Sequence, residues 1–241
     1  MIRRGEGWGA PAGGSPDVEA AGDDVALAAA VRGDGEHARI PRVRFDASPD
    51  SDLARSVGLV GKGAASIEVT LDVMAVDPDL IDPDLGAPAL DGTTGSGPWA
   101  GDLAVNAIVV GPPPDRLHWW HRRRPLTVVV DGRTLFDGRA TTVLVANGQF
   151  LRGHDVVPAG HPGDGRCEVQ VYALGPGERT PMRRRLAGGA HLPHPRIATS
   201  AGRSVLVEVA RPGALEVDGT DRGRADRLRA VVRQGAYRLL V

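Results

Sequence analysis

The apolar residues of this chain fall mostly into short runs that alternate with polar residues, the pattern of half-buried β-strands. Between residues 166 and 172, for example, Cys167, Val169 and Val171 alternate with side chains that are larger or more polar. The pattern predicts strands after residue 60 at 66–76, 103–110, 126–130, 140–147, 166–172, 204–210, 214–218, 228–232 and 236–241. Many short strands of this kind are typical of an antiparallel sandwich or barrel.

Turn residues separate several of these strands. Asp131–Gly132 and Asp137–Gly138 are both predicted to be tight reversals, because Asp-Gly pairs favour two-residue hairpin turns. Residues 77–101 are rich in Gly and Pro and are predicted to be a loop or linker. Residues 180–190 are the one helix predicted in this half of the chain.

The first 60 residues have a different pattern, in which helices flank a single strand. Asp23 and Asp24 precede a predicted helix at 25–31, and either carboxylate is able to cap its first turn. Residues 40–47 alternate as a strand does, and a second short helix is predicted at 53–57. This α/β unit has too few strands to make a sheet of its own.

Together these patterns predict an α+β fold. A short α/β segment at 1–60 is expected to pack on a larger, two-layer antiparallel β-sandwich-like domain at 61–241. The helix at 25–31 should then be buried by that contact, because so short a helix is marginal by its own propensity.

Composition is that of a globular chain and excludes several classes of protein. The 241 residues are 41% hydrophobic and 24% charged, with a formal net charge of −1. A disordered tail and a broadly basic nucleic-acid binder are therefore excluded, and no nucleic-acid partner is expected. Cys167 is the single cysteine, so no internal disulfide can form. Without a signal-peptide pattern or an apolar run of about 18 residues, we expect a cytoplasmic protein and leave peripheral membrane contact open.

Four short motifs follow one another along the second half of the chain. They are VANGQF at Val145–Phe150, GDG at Gly163–Gly165 shortly after Val157-Pro158, LAGGAH at Leu186–His191, and VDG at Val217–Gly219. In this order and spacing, residues 141–241 resemble the C-terminal domain of bacterial diacylglycerol and lipid kinases, the superfamily that includes sphingosine kinases.

The resemblance extends upstream to about residue 18. Gly22–Leu27 occupies the place of the family's Gly-Gly-Asp-Gly-Thr nucleotide loop, and Asp52 falls on the Asp that follows its Gly-Thr-Gly-Asn loop. Asn106 matches an Asn on a strand near the start of the family's second domain. Residues 1–60 are then similar to a truncated nucleotide-binding lobe. The nucleotide-binding residues that the resemblance implies are Gly22, Asp24, Ala26 and Asp52.

The activity that this resemblance implies is ATP-dependent phosphoryl transfer to the hydroxyl of a diacylglycerol-type or sphingoid lipid. Asp218 and Thr220 stand at the family's catalytic positions. Thr220 replaces a glutamate that serves as the family's general base. A threonine hydroxyl does not accept a proton near neutral pH, whereas a carboxylate does.

Three further components of phosphoryl transfer depart from the family pattern. In the nucleotide loop, Asp23 and Val25 replace glycines and Ala26 replaces the threonine, and Asp23 adds negative charge where phosphates would lie. Ser48–Ser51 brings another carboxylate into the second loop, and nothing before residue 18 matches the family's Asn-Pro-x-Ser-Gly loop. We therefore expect absent or very weak kinase activity and little affinity for ATP.

Magnesium is the cofactor that these departures leave in place. In the family, one Asp and the carbonyls three residues before and two residues after it hold a structural magnesium; those positions here are Asp164, His161 and Arg166. One carboxylate with carbonyls and water suits a hard cation. A plain turn before strand 166–172 is the alternative for the same residues, and both interpretations stay open.

Other motifs also have structural interpretations. Gly22–Asp24 is also typical of a helix cap, and Asp218–Gly219 of a hairpin turn. His191 and His194 are not expected to form a zinc site, because Pro193 between them prevents a regular helical face.

Two arginine runs bear on partners. Arg122–Arg124 follows Trp119-Trp120, and Arg183–Arg185 forms the second run. They indicate either solvated surfaces or contact with the anionic headgroups of a lipid membrane. Three hypotheses remain: a lipid kinase-like enzyme, a degenerate member that keeps a ligand site, and a partner-binding protein that uses the β domain. Homodimerisation is also left open.

Overall fold

The computed structural model of the protein describes residues 10–11, 15–33, 40–59, 67–77 and 102–240. The helices in these ranges are α1 (Asp24–Arg32), α2 (Asp52–Ser56) and α3 (Pro176–Leu186), with a 3₁₀ turn at Pro114–Arg116. The strands are β1 (Ala10–Pro11), β2 (Val18–Gly22), β3 (Arg42–Ala47), β4 (Ile67–Asp77), β5 (Asp102–Ala104), β6 (Ala107–Val110), β7 (Arg124–Val130), β8 (Arg133–Ala140), β9 (Thr142–Ala146), β10 (Phe150–Leu151), β11 (His154–Asp155), β12 (Cys167–Tyr172), β13 (Ile197–Gly202), β14 (Ser204–Val217) and β15 (Thr220–Leu240).

Most of these strands form one sheet that folds into two layers. Its order is β1-β4-β15-β14-β6-β9-β12-β13, with β7 and β8 branching from β14. The first part of β14 pairs with β7 and the end of β14 with β6, so the sheet divides along this strand. The buried side chains between the layers are mostly branched aliphatics such as Val128, Val143, Val169 and Val207. The predicted α+β class with a β-sandwich-like domain is confirmed.

The N-terminal segment continues this sheet. Strand β3 lies parallel to β2 on one side and parallel to the end of β15 on the other. Leu27 of α1 and Leu53 of α2 are fully buried in a second core with Leu71, Tyr237 and Leu239, which belong to β4 and β15. The N-terminal segment has too few strands for a sheet of its own, as predicted, and its strand β3 pairs instead with β15 from the other end of the chain. The domain boundary predicted near residue 60 falls outside the described residues and stays a prediction.

The structure corrects several element boundaries. The predicted strand 103–110 is two strands, β5 and β6. The strand breaks because the backbone N–H groups of Val105 and Asn106, between them, donate to the Asp218 side chain. The strands predicted at 204–210 and 214–218 are both parts of the long β14, which continues through a bulge near Gly213. Those predicted at 228–232 and 236–241 are both parts of β15, which continues through a bulge near Gln234. Strands β2, β8 and β13 have weak apolar alternation and are additional to those predicted.

One predicted reversal is confirmed and the other is wrong. Asp131 and Gly132 link β7 to β8, and both have positive φ, as a two-residue hairpin turn requires. Asp137 and Gly138 instead lie within β8, paired with Thr127 and Leu126. The helix predicted at 180–190 is α3, which begins and ends four residues earlier. Of the predicted linker 77–101, residues 78–101 lie outside the described residues.

Within the described residues, no helix has both the length and the apolar character needed to cross a membrane.

Candidate functional site

A cavity of about 330 Å³ lies where the N-terminal α/β segment meets the β-sandwich. Its lining residues are Asp23, Asp24, Asp50, Asp52, Arg55, Asn106, Leu151, Arg152, Gly153, Asp218 and Gly219. Three of the residues predicted from the sequence, Asp24, Asp52 and Asp218, come together there from distant parts of the chain. We call this cavity the acidic cleft, because five of its lining side chains are carboxylates.

Asp218 lines the acidic cleft and belongs to a tight hairpin turn. It and Gly219 link β14 to β15 with φ values of 48° and 81°, the left-handed conformations of a two-residue hairpin turn. The Asp218 carboxylate accepts the backbone N–H groups of Val105 at 2.8 Å and of Asn106 and Ala107 at 2.9 Å. These three bonds explain the break between β5 and β6. The hairpin-turn interpretation of Asp218–Gly219 is thus correct, and Asp218 has a structural role.

Asp23 closes the start of α1. Its carboxylate accepts the N–H groups of Val25 at 3.1 Å and of Ala26 at 3.2 Å, which makes Asp23 the N-cap of the helix. The free amides at a helix N-terminus are the groups that bind a phosphate in nucleotide loops. In this chain a side chain of the loop itself occupies two of them. The helix-cap interpretation of Gly22–Asp24 is therefore correct.

Asp24 joins the two helices of the N-terminal segment. Its carboxylate accepts the Ser51 hydroxyl at 2.6 Å and the N–H of Leu53 at 3.2 Å, at the start of α2. Burial raises the pKa of Asp24 to about 6, against the lowering effect of these hydrogen bonds and with a smaller rise from the charge on Asp52. Burial, reinforced by the charge on Asp24, likewise raises the pKa of Asp218 to about 7. Two carboxylates of the acidic cleft are thus held at unusually high pKa values.

Asp52 connects α2 to the short β10–β11 hairpin. Its carboxylate accepts the N–H groups of Arg152 and, at 2.8 Å, of Gly153, and it also pairs with Arg55 at 3.1 Å. Arg152 has a positive φ of 49°, which places its amide and that of Gly153 towards Asp52. Asp52 therefore uses both oxygens to fasten the hairpin to the helix.

The cations of the acidic cleft are already engaged with carboxylates. The Arg152 guanidinium pairs with Asp115 at 3.0 Å and with Glu216, and Arg55 pairs with Asp52. Five carboxylates and two guanidinium groups line the cavity. A polyphosphate would meet mostly negative side chains there, and a cation or a neutral, hydroxyl-rich group would be accepted more readily.

The other residues predicted for catalysis and nucleotide binding lie beside the cleft. Thr220 pairs with Val217 across the hairpin and does not line the cavity. Gly22 ends β2 with φ 128°, and a Cβ there would lie 3.2 Å from the Cβ of Ala26. Neither Gly22 nor Ala26 is among the residues that line the cleft.

The predicted magnesium residues lie in the loop before β12. The exposed Asp164 accepts the N–H of Arg166 through Oδ1 at 2.9 Å, and the carbonyl of His161 accepts the N–H of Gly163 at 2.8 Å. No group of three or more His, Cys, Asp or Glu side chains suited to a metal ion occurs in the described ranges. One carboxylate completed by carbonyls and water still suits magnesium, so this site stays a prediction.

Sequence reasoning missed the contribution of the β10–β11 hairpin to the cleft. Arg152 and Gly153 turn the chain, but an Arg-Gly pair is not a specific turn signal. The ion-pair partners of Arg152, Asp115 and Glu216, are distant in sequence, so no local pattern indicates them. Asn106, which the resemblance singled out, does line the cleft, and its Nδ2 donates to the Phe150 carbonyl at 3.1 Å.

The raised pKa of Asp24 predicts a measurable pH dependence of stability. The unfolded chain releases this proton near pH 4 and the folded protein near pH 6, so the stabilisation is complete below about pH 4 and is lost as the pH rises through 6. We expect the parent to lose about 3 kcal/mol relative to Asp24→Asn between about pH 4 and pH 8. Urea unfolding of both proteins across this range measures the difference.

Asp46→Asn, which removes an exposed carboxylate from the neighbouring β3, is the matched control and should not reproduce that trend. A constant difference between the parent and Asp24→Asn at every pH would show that Asp24 keeps an ordinary pKa.

Comparison with known proteins places this architecture among kinase-like folds. The structure of a diacylglycerol kinase from Bacillus anthracis str. Sterne is similar to this one, with a TM-score of 0.67 and 14% sequence identity. The superposition covers 93% of this chain and 76% of the kinase chain. Yeast NADH kinase complexed with NADH also matches 93% of this chain over 60% of its own, with 12% identity and a TM-score of 0.50. At these identities the likeness establishes the fold.

Family membership follows from the sequence. The profile of the YegS C-terminal NAD kinase beta sandwich-like domain family matches residues 116–241, more than half of the chain. The chain therefore belongs to this family, and the resemblance predicted from its motifs is confirmed. A search of curated proteins found no match.

Proposed function

We propose that this chain is a lipid kinase-like protein in which ATP-dependent phosphoryl transfer to a lipid hydroxyl has been lost or is very weak. The observation that carries the proposal is the Asp23 cap. Its carboxylate holds the Val25 and Ala26 amides that a phosphate would otherwise accept from α1. To bind there, a phosphate must displace the Asp23 carboxylate, which belongs to the loop itself. The other carboxylates around the cleft would also repel it.

The charge of the acidic cleft supports the same proposal. Arg55 and Arg152, its two cations, are paired with carboxylates, so neither is a ready phosphate ligand. Neutralising a triphosphate is the main electrostatic task of a kinase site. A magnesium ion bound with the nucleotide supplies part of that neutralisation in phosphoryl transfer. The side chains that line the acidic cleft add little positive charge to it, because both arginines are paired with carboxylates.

The position of the family's general base also supports the proposal. Thr220 lies on β15 outside the cavity lining, and its hydroxyl is a poor proton acceptor. The Asp218 carboxylate accepts three backbone N–H groups and belongs to a hairpin turn, so it is already engaged in holding the fold. The loss of a general base lowers a rate by about 10²–10⁴.

We also propose that, if the loop before β12 binds a divalent cation, Asp164 is the ligand that decides its affinity. The carbonyls of His161 and Arg166 would complete the protein's share of the coordination. Such an ion would fix the loop, because it joins residues at both ends of a tight turn.

Calorimetry with magnesium and ATP tests the main proposal. We expect no binding by the parent tighter than about millimolar, and about tenfold tighter binding by Asp23→Gly, which frees two amides and removes one charge. Asp50→Gly is the matched control, because it removes a carboxylate from the same cleft without freeing any helix amide. A titration with magnesium alone, on the parent and on Asp164→Ala, separates binding of the ion from binding of the nucleotide.

An activity assay completes the test. With radiolabelled ATP and diacylglycerol micelles, turnover above about 1 s⁻¹, which is ordinary for kinases, would overturn the proposal. Micromolar binding of ATP by the parent would overturn its structural basis, since the Asp23 cap would then not block the site.

The second candidate function is a non-catalytic protein that binds a lipid or a partner through the β domain. The exposed tryptophans of the loop before β7, Trp119 and Trp120, favour this candidate.

A further inference from the structure

Two adjacent tryptophans project from the loop that joins the 3₁₀ turn to β7. Trp119 is 67% exposed and Trp120 is 55% exposed. Among the described residues, the only other large apolar side chain exposed to this degree is Ile40, at 48%. Exposed indoles are costly in water, and a contiguous exposed apolar patch usually marks an interaction surface.

A buried arginine holds this loop in place. Arg179 of α3 is 1% exposed, and its Nη1 donates to the carbonyls of His118 and Trp119 at 2.9 Å and of His121 at 2.6 Å. The His118 ring stacks on the Trp120 indole at 4.3 Å between centroids. The loop backbone is held by Arg179 and the Trp120 ring by His118, so the two indoles are exposed on an ordered loop.

The surroundings of the two indoles are rich in arginine. Arg116 precedes them and Arg122 follows them, and both are exposed. Helix α3, which carries Arg179 beneath the loop, also carries the exposed Arg184 and Arg185. The nearby carboxylates are neutralised by pairs: Asp115 with both Arg152 and Arg116, and Glu178 with Arg196. Positive charge therefore remains in excess around the loop and along the neighbouring helix α3.

We propose that the surface formed by Trp119, Trp120, Arg116, Arg122 and the exposed arginines of α3 docks on a membrane that contains anionic lipid. Indoles partition to the boundary between headgroups and acyl chains, where one edge is apolar and the other is hydrated. Arginines beside them bind anionic headgroups, and an apolar and an electrostatic signal together give stable attachment. A protein partner would bury the indoles equally well, but the exposed arginines of the loop and of α3 match the charge of an anionic lipid surface.

The docking surface lies next to the acidic cleft. Asp115, four residues before Trp119, pairs with Arg152, which lines the cleft. Attachment through the indoles would therefore bring the bilayer close to the cleft, where a lipid headgroup could reach it. The docking proposal itself does not depend on nucleotide binding or on catalysis by the cleft.

Vesicle binding by the full chain tests the proposal. Vesicles of phosphatidylcholine alone are compared with vesicles that also contain phosphatidylglycerol, by co-sedimentation without nucleotide. We expect binding to the anionic vesicles, at least about tenfold weaker binding to the neutral ones, and weakening by salt. Tryptophan emission should shift to the blue on binding.

Two variants assign the binding to this surface. Trp119→Ser with Trp120→Ser should lower vesicle affinity by more than about tenfold and abolish the emission shift. Arg122→Glu with Arg184→Glu should also lower it by at least about tenfold. Arg133→Glu is the matched control, because Arg133 is also exposed but lies at the far end of the β7–β8 hairpin. Unchanged melting temperatures establish that the variants are folded.

Three results would overturn the proposal: no binding to either kind of vesicle, equal binding to neutral and anionic vesicles, or equal loss of binding in Arg133→Glu. Self-association of the parent without vesicle binding, abolished by the double tryptophan variant, would assign the surface to a second copy of the chain instead. Failure of vesicle binding would leave the calorimetric test of the acidic cleft unaffected, so the two proposals fail separately.

Discussion

Replacing Asp218 by alanine should lower the free energy of unfolding by about 3–5 kcal/mol. The substitution leaves the N–H groups of Val105, Asn106 and Ala107 without their acceptor in a buried place. It also puts alanine at a φ of 48°, which β-carbon sterics disfavour. Relief of the repulsion between Asp218 and Asp24 offsets part of this loss. Urea unfolding at neutral pH measures the net effect.

Two further substitutions separate the hydrogen bonds from the turn. Asp218→Gly keeps the left-handed turn at no steric cost but removes the acceptor, so it should retain most of the loss. Asp218→Asn keeps one acceptor oxygen and a side chain that tolerates positive φ, so it should be the mildest of the three. A loss below about 1 kcal/mol in Asp218→Gly would show that the three backbone bonds contribute little.

The β7–β8 hairpin supplies a matched control. Asp131 also begins an Asp-Gly turn with positive φ, and its carboxylate accepts the N–H groups of Arg203 and Ser204 at 2.9 Å. Unlike Asp218, it is exposed, so water can replace the lost acceptor. Asp131→Gly should therefore cost much less than Asp218→Gly. The comparison isolates burial as the cause of the larger effect.

The sandwich was predictable because its signal is local. The alternation of Cys167, Val169 and Val171 predicted a strand at 166–172, and the structure has β12 at Cys167–Tyr172. The same is true of α1, whose capping residue and apolar positions all lie within ten residues. Where one face of an element packs on a core and the other does not, the sequence carries the period directly.

Strand pairing over long distances was not predictable. Strand β2 has small side chains at Ala20 and Ala21 and therefore little apolar alternation. Its neighbour β3 is stabilised by β15, almost 200 residues further along the chain. No local pattern encodes that pairing. The break between β5 and β6 is a similar case, since its cause is the carboxylate of Asp218.

The candidate site was predicted in part for the same reason. A cap at Asp23 or Asp24 was predictable because a cap lies next to the helix that it serves, and the structure assigns it to Asp23. The family resemblance assigned Asp24 to nucleotide binding and Asp218 to a catalytic position, and the structure brings both side chains to one cleft. The engagement of Arg152 with Asp115 and Glu216 depends on three separate loops or strands, so only the structure reveals it.

A fragment of residues 1–60 should show no cooperative thermal unfolding on its own. Strand β3 has one of its two neighbours in β15, which the fragment lacks. Leu27, Val31 and Leu53 pack against β4 and β15, so their apolar faces would be exposed to water. Domains of this size are marginal even when they are complete. Circular dichroism and amide dispersion measure the outcome, and a cooperative melt would contradict the shared core.

The complementary fragment 61–241 should fold at least in part, because it keeps the main core of the sandwich. It should bind a hydrophobic dye more than the full chain does, since Leu71, Tyr237 and Leu239 lose the helices that cover them. Adding the 1–60 fragment should reduce the dye signal and raise the melting temperature, because β3 can then pair with β15. If mixing changes neither signal, the contact between the two parts is too weak to account for the buried positions of α1 and α2.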